Sequence, residues 1–340
     1  MKNFFKATIF FIILILLIIV LSKVMNPSGG VKMWYSSNSI LDFYEQTKDT
    51  IDVIYTGNSC IYSAVSPLEI YENTGITGYN LSTGGQKIWS SYYLIKEAFR
   101  LQKPKLIFVE VGELFSYADV EQEREKRYVI DSMEFSLNKM EMINDNIYNF
   151  SFEDKLGCVF PLFRYHTRWS NLDETDFRKI ISKEEIMYKG YDLVKIVKKY
   201  TGKRQEHGNK ARAQLSADAE KYASKIVELC KEKNCKLVFI KIPDPNVWTE
   251  EKHNAVVDLT SRLGVEYIDL SYDNLAGINW ETDTQDVGDH LNIAGAEKIS
   301  NYISEYLVNN TEFEDHRQDS KYTSWNMDLE TYNLKKQQQN

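Results

Sequence analysis

A serine, a histidine and two carboxylates in this chain have the residue types and positions that nucleophilic acyl chemistry requires. Ser59 follows the predicted buried strand 52–56 after Gly57 and Asn58. His290 lies in DVGDHLNIAGA, after Asp286 and Asp289 and before a predicted helix. A serine hydroxyl becomes a good nucleophile when a base removes its proton, and a carboxylate fixes the tautomer of that base. Ser59 is therefore a candidate nucleophile and His290 a candidate general base; the alternatives are an ordinary loop hydroxyl and a histidine that is solvated or caps the helix. Asp286 is preferred over Asp289, because a loop residue four positions back can fold under the imidazole while adjacent side chains diverge.

A glycine-rich turn supplies candidate donors for the negative charge that such a reaction develops. The segment NLSTGGQ, residues 80–86, follows a predicted strand at 78–81. A glycine N–H approaches an oxyanion without a Cβ in the way, and one such donor is worth about 3 kcal/mol. The N–H groups of Ser59, Gly84 and Gly85 are the predicted oxyanion hole. The alternative is an ordinary turn that caps the next helix.

Polar and aromatic side chains near these motifs are candidates for binding the substrate. They are Asn58, Gln86, His166, Arg168, Trp169 and Trp248. Tryptophan beside arginine, as in FPLFRYHTRW at 160–169, suits a sugar face or an anionic polymer. The alternative is that the tryptophans pin their segments to the core.

Alternating strands and helices are expected to position these residues. Strands are predicted at 52–56, 78–81, 105–111, 236–242 and 266–270, and helices at 67–71, 89–101, 217–233, 250–263 and 294–308. This alternation predicts a parallel sheet between two helical layers, with Ser59 and the glycine turn at the carboxyl ends of neighbouring strands. Residues 114–214 lack the alternation, which predicts an insertion with helices of its own.

The first 25 residues contain a long apolar run, without a charge from Ala7 to Leu21. A helix from Phe4 to Val24 spans roughly 30 Å at ~1.5 Å per residue, which is enough to cross a bilayer. The residues after the run lack the small-x-small pattern of a signal-peptidase site, so an uncleaved anchor is preferred over a cleavable signal peptide. The basic N-terminus predicts that it stays in the cytoplasm and that the rest lies outside, although Lys23 and Lys32 weaken the charge contrast.

These observations divide the chain into four parts. Residues 1–25 are a membrane anchor, 26–50 a linker and leading segment, 51–308 an α/β domain with the insertion at about 114–214, and 309–340 a polar tail. The tail contains too few apolar residues for us to expect much structure in it.

Composition and cysteine content limit the function classes. The 41 basic and 49 acidic residues give a net charge of -8, which disfavours a nucleic-acid partner. Outside the cytoplasm a Cys230–Cys235 disulfide is one alternative, and buried free thiols are the other. The spacing of the four cysteines does not indicate a metal site. We expect no metal and no cofactor.

Three motifs together resemble sequence blocks of the SGNH (GDSL-like) hydrolase superfamily: GNS at 57–59, NLSTGG at 80–85 and DVGDHLNIAGA at 286–296. With its anchor and insertion, the chain is similar to membrane-tethered bacterial members that transfer D-alanine to lipoteichoic acid or O-acetylate polysaccharides. The resemblance implies an α/β fold of the flavodoxin-like type, a three-layer α/β/α sandwich with a parallel sheet. It implies the roles given above for Ser59, His290 and the glycine amides. It covers roughly 52–112 and 217–307.

The chain departs from the pattern of this superfamily at three places. The aspartate usually precedes the histidine by three positions, where this chain has Val287. Gly112 and Glu113 stand where an asparagine follows the third strand, and Asn58 replaces the aspartate before the nucleophile. Part of the oxyanion hole is therefore absent or supplied from elsewhere.

The resemblance implies a membrane-anchored, extracytoplasmic serine esterase or O-acyltransferase that acts on a cell-surface polymer through an acyl-Ser59 intermediate. Its partners would be an acylated small molecule or polymer and a multispanning, acyl-exporting membrane protein. Hydrolysis and transfer share the intermediate, so these residues leave both open. One alternative is a catalytically degenerate SGNH fold that serves as a polymer-binding or assembly module. Another is a lipase acting on the bilayer, which would need an exposed apolar rim around its pocket.

Overall fold

The computed structural model describes residues 1–27, 35–178, 188–202 and 208–338. Part of the predicted linker (28–34, with Lys32), parts of the predicted insertion (179–187 and 203–207) and the last two residues of the predicted tail lie outside these ranges.

The strands are β1 Val53–Gly57, β2 Gly78–Ser82, β3 Leu106–Glu110, β4 Lys236–Lys241 and β5 Glu266–Asp269. The helices are α1 Lys2–Met25, α2 Tyr35–Phe43, α3 Ser59–Ala64, α4 Pro67–Thr74, α5 Ile88–Leu101, α6 Glu123–Ile130, α7 Leu137–Asn144, α8 Phe152–Val159, α9 Pro161–Tyr165, α10 Glu174–Arg178, α11 Ala217–Glu232, α12 Glu250–Leu263, α13 Ile293–Asn310 and α14 Thr323–Gln337. Short 3₁₀ turns occur at Gly112–Phe115, Ala118–Val120, Asn146–Tyr148, His166–Asn171, Tyr188–Gly190 and Ser320–Tyr322.

The five strands form one parallel sheet in the order β2-β1-β3-β4-β5. Its inner strands are continuous apolar runs, as expected for strands that are covered on both faces. The chain moves outward from β1 to β2 and then returns past β1 to β3. In a doubly wound sheet the carboxyl ends at such a reversal form the crevice in which ligands bind. The predicted α/β class with a parallel sheet is confirmed.

A separate hydrophobic core lies on each face of the sheet. Successive side chains of a strand point to opposite faces, so Ile54 and Phe239 belong to one core and Val53 and Phe108 to the other. The first core includes residues of α5 and α11, and the second includes residues of α3 and α13. Helices on both faces thus hold the strand ends in a fixed register.

Local capping explains where α4 begins and ends. The side chain of Ser66 accepts the N–H of Glu69, and Pro67 occupies the first helical position, where no intrahelical N–H bond is lost. The helix ends at Gly75, whose positive φ of 74° is readily adopted by glycine. The chain therefore turns at a defined point into β2.

The described part of the predicted insertion packs onto the α/β domain. It contains α6 to α10, and Val129, Ile130, Met142 and Tyr148 belong to the first core. Helix α7 contacts α5, and α9 contacts α1. The insertion therefore shares a core with the sheet.

The C-terminal segment forms a helix, contrary to the expectation of a largely unstructured tail. Trp325 and Tyr332 of α14 are buried. The Trp325 ring lies 5.4 Å from that of Tyr71 between centroids, and Ser66 Oγ–H donates to the Tyr332 hydroxyl at 3.1 Å. Two aromatic residues seven positions apart lie on one face of a helix, which is enough to dock α14 against α4.

Helix α1 is long and apolar enough to cross a membrane. Its side chains are exposed along most of its length, but Ser22, Val24 and Met25 in the last turn are buried against the domain. The four cysteines, Cys60, Cys158, Cys230 and Cys235, are buried free thiols.

Candidate active site

Ser59 is the first residue of α3, directly beyond the carboxyl end of β1. Asn58 caps the helix, because its side-chain oxygen accepts the N–H of Cys60 at 3.0 Å. Gly57 has a positive φ of 153°, and a Cβ added there would lie 2.5 Å from the Cβ of Glu110. The turn from strand to helix therefore requires glycine, and it leaves Ser59 half-buried at the edge of the sheet.

His290 and Asp286 complete a hydrogen-bonded series with Ser59. The Nε2 atom of His290 lies 2.7 Å from Ser59 Oγ, across 231 positions of sequence. Its Nδ1 atom lies 2.5 Å from Oδ2 of Asp286, and the other oxygen of Asp286 accepts the His290 backbone N–H at 2.7 Å. With a proton on Nδ1, the imidazole is oriented to accept the serine proton at Nε2.

The backbone of the histidine loop explains why an aspartate four positions back reaches the imidazole. Val287 and Gly288 both have positive φ, 68° and 103°, so the chain doubles back between Asp286 and His290. The Thr284 hydroxyl accepts the N–H of Gly288 at 2.8 Å and donates to the carbonyl of His290 at 3.0 Å. A left-handed conformation costs a β-branched residue about 1–2 kcal/mol, which these bonds must offset.

Asp289 has a different partner from Asp286. The side-chain amide of Asn246 donates to Asp289 at 2.5 Å and to the carbonyl of Val287 at 3.2 Å. Asp289 therefore ties the histidine loop to the segment that follows β4. Of the two aspartates, the structure places only Asp286 on the imidazole.

The predicted oxyanion donors lie at the same edge of the sheet as Ser59. Gly57 pairs with Ser82, so the chain leaves β1 and β2 side by side. Gly85 has a φ of 65° in a turn closed by the N–H of Gln86 and the carbonyl of Thr83, at 3.3 Å. The N–H of Ser59 is in the first turn of α3, where an amide has no intrahelical acceptor. The amides of Ser59, Gly84 and Gly85 thus remain the candidate donors.

Gln86 and Trp248, predicted to bind substrate, are buried instead. The Gln86 side-chain amide donates to Thr56 Oγ1 at 3.0 Å and thereby braces the glycine turn. The Trp248 indole N–H donates to Asp269 at 2.9 Å. Both follow strand ends, as a substrate-binding residue would, but their side chains turn inward and satisfy buried polar groups.

His166, Arg168 and Trp169 lie beside the last turn of α1. Arg168 donates to the carbonyl of Met25 at 2.5 Å and pairs with Asp176 at 2.9 Å. His166 Nδ1 lies 2.9 Å from a carbonyl of the preceding turn, and Trp169 is 73% exposed. Within the described residues, the structure does not bring this group into contact with Ser59.

Sequence reasoning missed the role of Glu113 beside the nucleophile. Its carboxylate accepts the Asn58 side-chain N–H at 2.9 Å and pairs with Lys87 at 2.8 Å. Burial lowers the pKa of Lys87, but attraction to Glu113 outweighs it and the pKa is raised overall. Glu113 thus holds the cap of α3. The sequence did contain a signal for this role: Glu113 is a carboxylate that follows β3, and β3 is the neighbour of β1 in the sheet.

A buried ion pair lies next to Gly57, in the turn that joins β1 to α3. Lys241 Nζ lies 2.8 Å from Glu110, and both side chains are at most 1% exposed. Burial lowers the pKa of Lys241, but the attraction of Glu110 raises it overall, so the lysine keeps its charge. Glu110 also accepts the N–H of Gly112 at 2.8 Å. Removing one partner of such a pair typically costs 3–5 kcal/mol.

Tyr62 is a second neighbour of Ser59 that the sequence analysis did not identify. It stands three positions after Ser59 on α3, which places both side chains on the same helix face. Burial, the largest influence, raises the pKa of the Tyr62 hydroxyl well above its usual value, and proximity to Ser59 lowers it by less. Tyr62 therefore stays protonated and polar next to the nucleophile.

Within residues 1–27, 35–178, 188–202 and 208–338, no group of three or more His, Cys, Asp or Glu side chains is arranged to hold a metal ion. The carboxylates around Ser59 are paired with His290, Asn58, Lys87 and Lys241. The arrangement is suited to proton transfer between a hydroxyl and an imidazole.

No protein-family model and no curated protein sequence matches the chain. Among solved structures, a protein of Bacteroides fragilis NCTC 9343 named as a presumed acylhydrolase is 12% identical over 82% of this chain and 98% of its own, with a TM-score of 0.36. An acetyl xylan esterase of the rumen bacterium Butyrivibrio proteoclasticus is 8% identical over 78% of this chain and 65% of its own, with a TM-score of 0.31. At this level of similarity these two proteins do not assign an activity to the chain.

Proposed function

We propose that this chain is a membrane-anchored serine esterase or O-acyltransferase of the SGNH type, acting outside the cytoplasm on an acylated cell-surface polymer. One observation carries the proposal: Ser59 Oγ lies 2.7 Å from His290 Nε2, and His290 Nδ1 lies 2.5 Å from Asp286. The strand order 2-1-3-4-5 is that of flavodoxin-like folds, which supports the fold type.

The reaction begins when the Ser59 hydroxyl gives its proton to His290 and attacks the carbonyl carbon of an ester. Asp286 stabilises the imidazolium that forms. The C=O electrons move onto oxygen, and the amides of Ser59, Gly84 and Gly85 are the proposed donors to that oxyanion. As the tetrahedral intermediate collapses, the ester C–O bond breaks, and His290 returns the proton to the leaving alkoxide. An acyl group then remains on Ser59.

A second substrate resolves the acyl-enzyme by the same steps in reverse. His290 removes a proton from a polymer hydroxyl or from water, and the resulting nucleophile attacks the acyl carbon. Ser59 leaves and regains its proton from the imidazolium. A polymer hydroxyl gives acyl transfer, and water gives hydrolysis.

Helix α1 is proposed to be a single-pass anchor with a cytoplasmic N-terminus. An anchor raises the concentration of the site beside a donor that emerges through the membrane, without any added contact. A multispanning, acyl-exporting membrane protein is the proposed partner, and an acylated small molecule or polymer the proposed substrate.

The structure weakens the alternative of a degenerate, non-catalytic fold. Two departures from the superfamily pattern favour that alternative: the displaced aspartate and the missing asparagine. Asp286 nevertheless reaches His290 at hydrogen-bonding distance. Glu113, at the place of the asparagine, is bound to Asn58 and Lys87, so one superfamily oxyanion donor is still lacking.

Labelling with a small fluorophosphonate tests for an activated serine. The full chain in detergent is expected to be labelled, and Ser59→Ala is expected to abolish labelling. Ser63→Ala is the matched control, because Ser63 lies on the same helix but is buried and bonded to the carbonyl of Cys60. Labelling that persists in Ser59→Ala, or a folded wild type that is not labelled, would contradict the proposal.

A second assay separates transfer from hydrolysis. An activated ester is supplied with and without a sugar acceptor, and acylated acceptor and free acid are both measured. Accumulation of acylated sugar supports transfer, and free acid alone in both reactions supports an esterase.

A further inference from the structure

Four aromatic side chains of the insertion are exposed on elements that contact α1. They are Phe160, Phe163, Trp169 and Phe177, called here the aromatic patch, and their exposure ranges from 36% to 73%. Phe160 caps α9, and the others lie in α9, in the 3₁₀ turn 166–171 and in α10. Each of these three elements contacts α1. Their exposure is unusual, since phenylalanine is among the residues most often buried in soluble domains.

The last turn of α1 is built into the insertion. The Ser22 hydroxyl accepts the N–H of Leu162 at 3.4 Å, and the Met25 carbonyl accepts the Arg168 guanidinium at 2.5 Å. The side-chain amide of Asn26 donates to the carbonyl of Asp131 at 2.8 Å. The helix therefore enters the domain without a break, and the domain begins where the exposed apolar stretch ends.

The length of the exposed stretch places the patch at a defined height. From Asn3 to Leu21 side chains are exposed except for the half-buried Ile18, and this stretch rises about 28 Å at ~1.5 Å per residue. That is close to the thickness of one hydrocarbon core. If α1 spans a bilayer, elements that contact its last turn lie at the boundary between acyl chains and water. Aromatic belts occur at this boundary, where tryptophan is enriched.

In the described part of the insertion, the arginines near the patch already have carboxylate partners. Arg164 pairs with Glu123 at 2.8 Å, Arg168 with Asp176, and Arg178 with Glu174. A guanidinium that already has a carboxylate partner gains little from a lipid phosphate. The patch therefore fits the apolar part of the interface better than a charged headgroup surface.

We propose that the aromatic patch rests in the outer interfacial layer of the bilayer as a second attachment beside α1. This inference rests on the proposed role of α1 as an anchor and extends it to the orientation of the domain. With two points of attachment, the sheet edge that carries Ser59 is held at a fixed tilt and height. Trp169, predicted to bind substrate, would bind lipid instead.

Depth-dependent quenching tests the position of Trp169 in the full chain. The protein is reconstituted into phosphatidylcholine vesicles whose acyl chains are brominated either near the headgroup or near the methyl end. The contribution of Trp169 is the difference between wild type and Trp169→Phe. We expect shallow bromines to quench this contribution about twofold more than deep ones, as for other interfacial tryptophans. A contribution that bromines leave unchanged and aqueous iodide quenches would overturn the proposal.

Two further arms distinguish failure of the patch from failure of the anchor. Resistance to alkaline carbonate extraction in flotation reports on α1 alone, so protein that floats but shows no quenching of Trp169 contradicts only the patch.

Phe177→Ser and Trp169→Ser are expected to lower activity toward a lipid-embedded ester severalfold while leaving a soluble ester unaffected. Met327→Ser is the control, because Met327 is 64% exposed on α14, which packs against α4. Equal effects of all three variants, or no effect of any, would contradict the proposal, as would quenching that requires anionic lipid.

Discussion

Two histidine–aspartate pairs lie at the carboxyl edge of this sheet, and they differ in what surrounds them. His290 and Asp286 are 28% and 36% exposed, and the second nitrogen of His290 faces Ser59. His253 bonds to Asp269, which ends β5 three strands away and is only 5% exposed. The chemistry of the two pairs is the same, so their roles are decided by their neighbours.

The Asp269 carboxylate accepts hydrogen bonds from several residues, whereas, within the described residues, the hydrogen bonds to the Asp286 carboxylate all come from His290. Five groups donate to Asp269 at 2.6–2.9 Å: the side chains of Trp248, His253 and Tyr267, and the N–H groups of Ser271 and Tyr272. Burial alone would raise the pKa of Asp269, but these bonds hold it below its usual value. The His253 ring is also stacked on Tyr272, with 4.0 Å between centroids. The His253–Asp269 pair is therefore fixed by its neighbours on every side. In the His290–Asp286 pair, the second ring nitrogen of His290 faces the hydroxyl of Ser59.

Removing the imidazole from each pair gives the largest contrast. His290→Ala and Ser59→Ala are each expected to lower kcat by about 10⁵-fold or more, because nucleophile and base act as one unit. His253→Gln is expected to leave the kcat of folded protein within about twofold, since it lies outside the reacting group. Release of nitrophenol from an activated acetate ester measures both. A His253 variant that is folded but as inactive as His290→Ala would remove the distinction.

Changing the orienting carboxylate is expected to give the next largest effect. Asp286→Asn allows the wrong tautomer of His290 and is expected to lower kcat by about 10³–10⁴-fold without unfolding the protein. Asp289→Asn, one residue from the same imidazole, is expected to change kcat less than about threefold, because its partner is Asn246. Steady-state kinetics of the two variants check this. Equal losses would show that the loop rearranges in the working enzyme.

Asp269→Asn is expected to lower the free energy of unfolding by about 3–5 kcal/mol, because five donors to a buried carboxylate then face a weaker acceptor. The folded-state pKa of Asp269 is lowered, so its stabilising contribution is present above the unfolded pKa of about 3.9 and is lost as pH falls through the folded value. The stability gap between wild type and variant should therefore shrink between about pH 5 and pH 3. Urea unfolding measures it, and a gap that does not change with pH would count against this account.

Glu121 provides the opposite case, a buried carboxyl with too few donors. One oxygen accepts the Trp89 indole N–H at 3.1 Å and the other has no partner within the described residues. Burial raises its pKa to about 7. The protonated form is thus favoured on folding, and stability is lost as pH rises from the unfolded pKa of about 4.3 through 7.

Glu121→Gln, which is neutral at every pH, should therefore be more stable than wild type at pH 8, by roughly 3–4 kcal/mol. The difference is expected to vanish near pH 4. Thermal unfolding across this range measures it. Equal stability of the two proteins at pH 8 would show that Glu121 is solvated or paired when charged.

The regular elements could be predicted from sequence because their signals are local. Strands covered on both faces are continuous apolar runs, and the helix predicted at 250–263 begins and ends where α12 does. Helix α14 could not be predicted in this way. Its sequence is polar apart from a few residues, and only the contacts of Trp325 and Tyr332 with residues more than 250 positions earlier reveal its buried face.

The site shows the same division between local and distant information. Motif and position indicated Ser59 and His290, and the structure brings the two together; their roles remain predictions. Sequence reasoning preferred Asp286 as the partner of the imidazole, and the structure places it there. The positive φ at Val287 that allows this contact is not signalled by a β-branched residue. Gln86 and Trp248 looked accessible because they follow strand ends. Whether a side chain after a strand end points into the core depends on its hydrogen-bond partners, Thr56 for Gln86 and Asp269 for Trp248, which are distant in sequence.

The docking of α14 has a consequence for how the protein is made. A ribosome releases the N-terminal part first, so Tyr71 and Ser66 emerge more than 250 residues before Trp325 and Tyr332, which pack against them. The surface of α4 that α14 covers is therefore exposed on the nascent chain until α14 has been synthesised. Premature termination before α14 would leave that surface uncovered on the truncated product, where it would be open to recognition by quality control.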